Sequence, residues 1–122
     1  MVWEGMSRRK FPRVSYRCLI KMTRSGKQET VDTFTENIGS GGICVVLEDK
    51  CKLFETVSLE IFFDEGEDPV LCEGSVVWIV KRHPMKRAEK VTYDTGIEFK
   101  NISAEDRERI TRLVQNILDS EA

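Results

Sequence analysis

Through most of this chain apolar residues return at every second position, and only after residue 102 does the pattern switch to a helical period. Residues 14–22 set the theme. Val14, Tyr16, Cys18, Ile20 and Met22 fall on one face, and Ser15, Arg17, Leu19 and Lys21 on the other. Successive side chains of a strand point to opposite faces, so this segment reads as a half-buried strand. Residues 28–36, rich in Thr, Val and Phe, read as its partner across a turn at Ser25, Gly26 and Lys27. Further strands are expected at 43–47, 57–63, 70–80 and 92–100, with Gly74 a bulge or bend in the longest of them. An acidic turn at 64–69 and a polar loop at 81–90 separate the later strands.

The final segment behaves differently. Ser103 is an N-cap residue, and Ile110, Leu113, Val114, Ile117 and Leu118 recur at the spacing of one helix face. About six strands followed by a helix at about 103–119 predict a mainly all-β fold. The expected form is a six-stranded antiparallel barrel whose open side the C-terminal helix covers. A length of 122 residues suits one domain. The expected division is a flexible basic arm at 1–13 and the barrel with its helix at 14–122.

Charge is unevenly placed. Eight of the 19 Lys and Arg residues lie in residues 1–27, against a single acid, Glu4. Such an arm is suited to meeting anions. No stretch is apolar for long enough to span a bilayer, and the first residues reach the Arg cluster without an apolar signal-peptide core. A cytoplasmic protein without membrane insertion is expected. Cys18, Cys44, Cys51 and Cys72 show no zinc-ligand spacing and read as structural thiols. His83 is the only histidine, and no nucleophile motif or P-loop accompanies it, so neither an enzyme nor a metal site is expected.

Two short motifs carry the chemistry. The run Arg8-Arg9-Lys10-Phe11-Pro12-Arg13 holds three guanidinium groups. Each is a planar fork of donors that fits phosphate oxygens or the O6/N7 edge of guanine, and each can stack on a purine. Pro12 keeps the run extended or turned. The second motif is Asn37-Ile38-Gly39-Ser40-Gly41-Gly42. The Asn37 amide can both donate and accept at a base edge, and the glycines let a ligand come close to the backbone.

Together these motifs resemble those of PilZ domains. That family has R-x-x-x-R just before the first strand, matched by Arg9 and Arg13, with Arg8 matching the extra arginine often found ahead of it. Its [D/N]-x-S-x-x-G motif is matched at Asn37 and Gly42. Glu73-Gly74-Ser75-Val76-Val77-Trp78 is similar to the family's G-x-V-V-W strand, and Thr95-Gly96-Ile97-Glu98-Phe99 to its G-I-x-F strand. The likeness runs from about residue 8 to 118.

The resemblance implies a bacterial receptor for cyclic di-GMP, with no other cofactor. Arg9 and Arg13 would grip phosphates and guanines, Arg8 would add a stacking or edge contact, and Asn37 would read a guanine. Gly39, Ser40, Gly41 and Gly42 would form the floor. An arginine at position 8 further implies two intercalated ligand molecules per chain. Signalling would pass to a partner protein, from a monomer or weak dimer. Where the family has Ser this chain has Gly39, with Ser40 one residue later. That change points toward weaker binding, or toward an adaptor that works by protein contacts alone. A barrel for single-stranded nucleic acid would instead carry exposed aromatics among basic residues on its strands. Here the basic charge is concentrated in the arm.

Overall fold

The structure is a computed structural model and describes residues 13–24, 30–63, 67–84 and 90–121. These form β1 (Arg13–Ser15), β2 (Leu19–Arg24), β3 (Thr30–Gly39), β4 (Gly42–Leu47), β5 (Thr56–Phe62), β6 (Val70–Arg82) and β7 (Thr92–Asn101). One helix, α1 (Ala104–Glu121), follows them. The expected arm at residues 1–12, the turn at 25–27 and parts of the acidic turn and polar loop lie outside the described residues.

Every strand pairing is antiparallel. The order β3-β2-β5-β6-β7-β4 returns to β3, so six strands close a barrel, and β1 lies beside the C-terminal half of β3 as a seventh. Closure uses up the edges that an open sheet would leave unpaired. The barrel therefore has no open side for the helix to cover, contrary to the expectation, and α1 lies against β1 and β3. Ile110 and Val114 of α1 join the same buried core as the barrel interior. One lateral row of that interior runs Val14, Ile38, Ile43, Ile97 and Val76 across five strands, all buried.

The expected strand at 14–22 is interrupted, although its alternation survives. Val14, Cys18, Ile20 and Met22 are buried, while Ser15 and Arg17 are exposed. Ser15 pairs with Asn37 and Leu19 with Phe34, so residues 16–18 face only residues 35 and 36. The extra residue breaks the ladder, and Thr35 repairs it. Its hydroxyl donates to the Tyr16 carbonyl at 2.5 Å and accepts the Cys18 N–H at 3.0 Å, and its own N–H donates to the Cys18 carbonyl. A buried backbone group must find some partner, and here a side chain supplies it. Two other strands outrun the hydrophobic pattern. β3 continues to Gly39, and β6 to Arg82, because ladder pairing does not require an apolar side chain at every step.

Gly74 sits at a register shift between β6 and β7, as expected of a bulge, and a Cβ there would come within 2.5 Å of Ile97 Cγ2. At the start of α1, Ser103 Oγ accepts the N–H of Asp106 at 3.0 Å, and Glu105 and Asp106 place negative charge in the first turn. Ser103→Ala is expected to lower stability by about 1 kcal/mol. A melting temperature equal to wild type would show that the cap contributes nothing.

Candidate functional site

The residue next along each strand of the interior row points the other way, except on β6, where a bulge at Val77 makes Trp78 the outward residue. This gives an outer row of Ser15, Asn37, Cys44, Gly96 and Trp78, aligned across β1, β3, β4, β7 and β6. A parallel row of Arg13, Gly39, Gly42 and Glu98 lies beside it. The register thus brings Arg13, from the first motif, directly opposite Gly39, from the second.

Local irregularity aims Asn37. Thr35 pairs with Val45 and Asn37 with Cys44, leaving Glu36 as an extra residue in β3. A bulge of this kind shifts the face on which later side chains emerge. Thr35 and Ile38 both point inward, and Asn37 is left outward beside Arg13's row. Its Oδ1 is buried and has no hydrogen-bond partner among the described residues.

The glycine run is a tight hairpin. Gly39 pairs with Gly42, Ser40 and Gly41 form the turn, and Ser40 is buried. The Gly41 carbonyl accepts the Phe99 N–H at 2.9 Å, tying the turn to β7. Gly42 is demanded by the barrel itself, since a Cβ there would collide with the Ile97 carbonyl oxygen and lie 3.2 Å from Glu98 Cα. Gly96 is demanded by Trp78, whose indole lies where a Cβ would be. Trp78 is half-buried and belongs to the outer wall of the barrel rather than its interior.

The electrostatics come mainly from residues that the motifs did not contain. Arg82 on β6 donates to Asp94 Oδ2 on β7 at 2.9 Å and meets Glu36 on β3 at 3.2 Å. The hydrogen bond to Asp94 is the largest reason the Arg82 guanidinium holds its proton more firmly than usual. Cys44, though on the outer row, is buried. Burial, then the negative charges of Asp94 and Glu36, push its thiol up to about 11, with Arg13 and Arg82 opposing. It therefore stays a neutral thiol, as a structural cysteine should. All four cysteines are buried.

The motif residues thus divide clearly. Arg13, Asn37, Gly39 and Gly42 come together on one face of β1, β3 and β4, with Ser40 and Gly41 in the turn that joins β3 to β4. Arg8 and Arg9 lie outside the described residues. Glu36, Arg82 and Asp94 escaped the sequence reading because each looked like an ordinary surface charge. No cluster of metal-ligating side chains occurs among the described residues, and no helix among them is long and apolar enough to cross a membrane.

Comparison with known proteins bears on this face. The family model of the PilZ domain matches residues 7–116. No curated protein matches the chain. Among solved structures it is similar to the Bacillus subtilis inhibitor of motility (MotI/DgrA), with a TM-score of 0.77 and 24% identity over 94% of this chain and 53% of that one. It is also similar to the PilZ domain of YcgR from Escherichia coli, solved with c-di-GMP, at a TM-score of 0.73 and 14% identity over 93% and 94% of the two chains. The K. pneumonia MrkH–c-di-GMP complex matches at 0.68 and 17% identity, over 93% of this chain and 54% of that one. The chain therefore spans about half the length of the MotI/DgrA and MrkH chains. At these identities the likeness is one of fold.

Proposed function

The chain belongs to the PilZ domain family, and from that premise we propose that it is a receptor for cyclic di-GMP, binding the dinucleotide on the outer face of β1, β3 and β4. The observation that carries this reading is the register that sets Arg13 opposite Gly39 and Ser15 opposite Asn37. Two motifs far apart in the chain meet there as one surface. Arg9 and Arg13 grip the phosphates and guanines, Arg8 adds a stacking contact, Asn37 Oδ1 accepts from a guanine, and residues 39–42 form the floor. The YcgR PilZ domain and MrkH, both solved with c-di-GMP, support the choice of ligand.

The reading is one of recognition without catalysis, in the cytoplasm. Binding changes the charge and shape of the face, and because α1 lies against β1 and β3, a shift of β1 is felt by the helix. A partner protein senses that change. Calorimetry with cyclic di-GMP, alongside GMP and a short oligonucleotide, tests the assignment. Saturable binding of cyclic di-GMP alone, in the micromolar range, is the expected result. Gly39, standing where the family has Ser, favours a second reading as an adaptor that binds no nucleotide. No heat with cyclic di-GMP would select that adaptor, and heat with the oligonucleotide alone would overturn both.

The same titration reads stoichiometry. Two intercalated dinucleotides expose guanine faces and four phosphates, giving a third guanidinium a surface to stack on and charge to neutralise. About two nucleotides per chain are expected for the wild type and one for Arg8→Leu. A single-site isotherm for the wild type would leave Arg8 a solvated charge.

A further inference from the structure

Two side-chain oxygens on the candidate face are buried without a hydrogen-bond partner among the described residues, Asn37 Oδ1 and Asp94 Oδ1. Buried polar atoms are nearly always satisfied, so each exception calls for a reason. Asn37 has one in the proposed function, and Asp94 has none. Asp94 faces outward on β7, two residues from Gly96, with Val46 and Val80 as its register partners. Its side chain is only 19% exposed. Arg82 holds the carboxylate by Oδ2 and leaves Oδ1 open. Cys44 pairs with Asn37 on one side and, on the other, with Gly96, two residues from Asp94.

We propose that Asp94 is a specificity-determining residue of this same site, its open Oδ1 accepting an N–H donor from the edge of a guanine base. The inference rests on the nucleotide reading above. An ionised carboxylate can only accept. Guanine presents the N1–H and N2–H2 donors side by side, whereas adenine sets a lone pair at N1 and keeps its only amino group at C6. Adenine held in the same pose sets its N1 lone pair and C2–H against Asp94 and so offers no N–H there. A site built to bond a particular N–H discriminates against the analogue lacking it far more strongly than shape alone does. Arg82 supports this by neutralising Asp94 and Glu36, whose charges would otherwise repel the ligand's phosphates. Both oxygens are buried, so a base reaches them only after a neighbouring group moves.

The test titrates the full chain with cyclic di-GMP and with cyclic di-AMP, which shares the same backbone. Wild type, Asp94→Ala, Asp94→Asn and Glu36→Gln are compared, each with its melting temperature. Loss of one charge-assisted bond predicts at least about tenfold weaker cyclic di-GMP binding by Asp94→Ala, with discrimination against cyclic di-AMP reduced by a similar factor. Asp94→Asn preserves the shape of the side chain, which guards against misfolding, and its affinity should fall several-fold. Glu36→Gln removes the same charge from the same face but no orphaned oxygen, and should discriminate as wild type does. Wild-type affinity and discrimination in both Asp94 variants would overturn the inference while leaving the receptor reading intact. A wild-type protein that binds neither dinucleotide would overturn the receptor reading, and the inference with it.

Discussion

Gly42→Ala is expected to destabilise the barrel by about 3 kcal/mol, with or without ligand. The reason is where the added methyl group goes. It would run into the backbone carbonyl oxygen of Ile97 and press on Glu98 Cα at 3.2 Å. Those are main-chain atoms of β7, paired with β4 along six consecutive positions from Gly42↔Glu98 to Leu47↔Tyr93. A flexible side chain could step aside, but a paired strand moves only by giving up part of its ladder. The adjacent row includes Ile43 and Ile97, both buried in the core, so the displacement also disturbs packing. Thermal melting should register a drop on the order of 10 °C for a domain of this size. A variant melting within a degree or two of wild type would show that β4 and β7 separate easily. The expectation also bears on interpretation, because lost ligand binding in Gly42→Ala would report a damaged sheet rather than a missing ligand contact.

Arg13→Ala should do the reverse, weakening cyclic di-GMP binding at least tenfold while leaving the fold almost unaltered. Each charge-assisted contact from a guanidinium contributes roughly 1.5–3 kcal/mol, and about 1.4 kcal/mol corresponds to a factor of ten. Combining the change with Arg9→Ala should therefore cost about a hundredfold or more. Stability is spared because β1 is a short strand beside the closed barrel, and its contribution to the core is Val14, not Arg13. Arg13→Lys separates charge from geometry. It retains the positive charge but lacks the planar fork, so an intermediate affinity is expected. Calorimetry and melting curves on the same samples check both halves of the expectation. Equal binding by wild type and the double variant would remove these arginines from the site.

The contrast between Gly42 and Arg13 shows how a single motif-based resemblance mixes two kinds of residue. Arg13 is half-buried on the outer side of β1, and its guanidinium is no part of the backbone pairing that closes the barrel. Gly42 is set by the approach of two backbones. The sequence marks both as motif positions without distinguishing them, because a collision with Ile97 is a property of strand pairing across a long stretch of chain.

Much of the architecture was legible from local pattern alone. Period-two alternation marked the strands, since burial on one face of a pleated sheet imposes that period on whichever residues face the core. The change to helical spacing after Ser103, together with the cap itself, located α1. The order of the two motifs in the chain was enough to suggest a dinucleotide site. What the tertiary structure decided was registration. The interruption at residues 16–18, the Glu36 bulge and the choice of Gly39 as the partner of Arg13 all depend on which distant backbone groups pair. No local periodicity records this. Glu36, Arg82 and Asp94 lie on three different strands, and they form a linked group only because β3, β6 and β7 curve around one barrel. In the sequence Glu36 and Asp94 are charges within expected strands and Arg82 falls in the polar loop expected at 81–90, and only closure of the sheet turns them into neighbours.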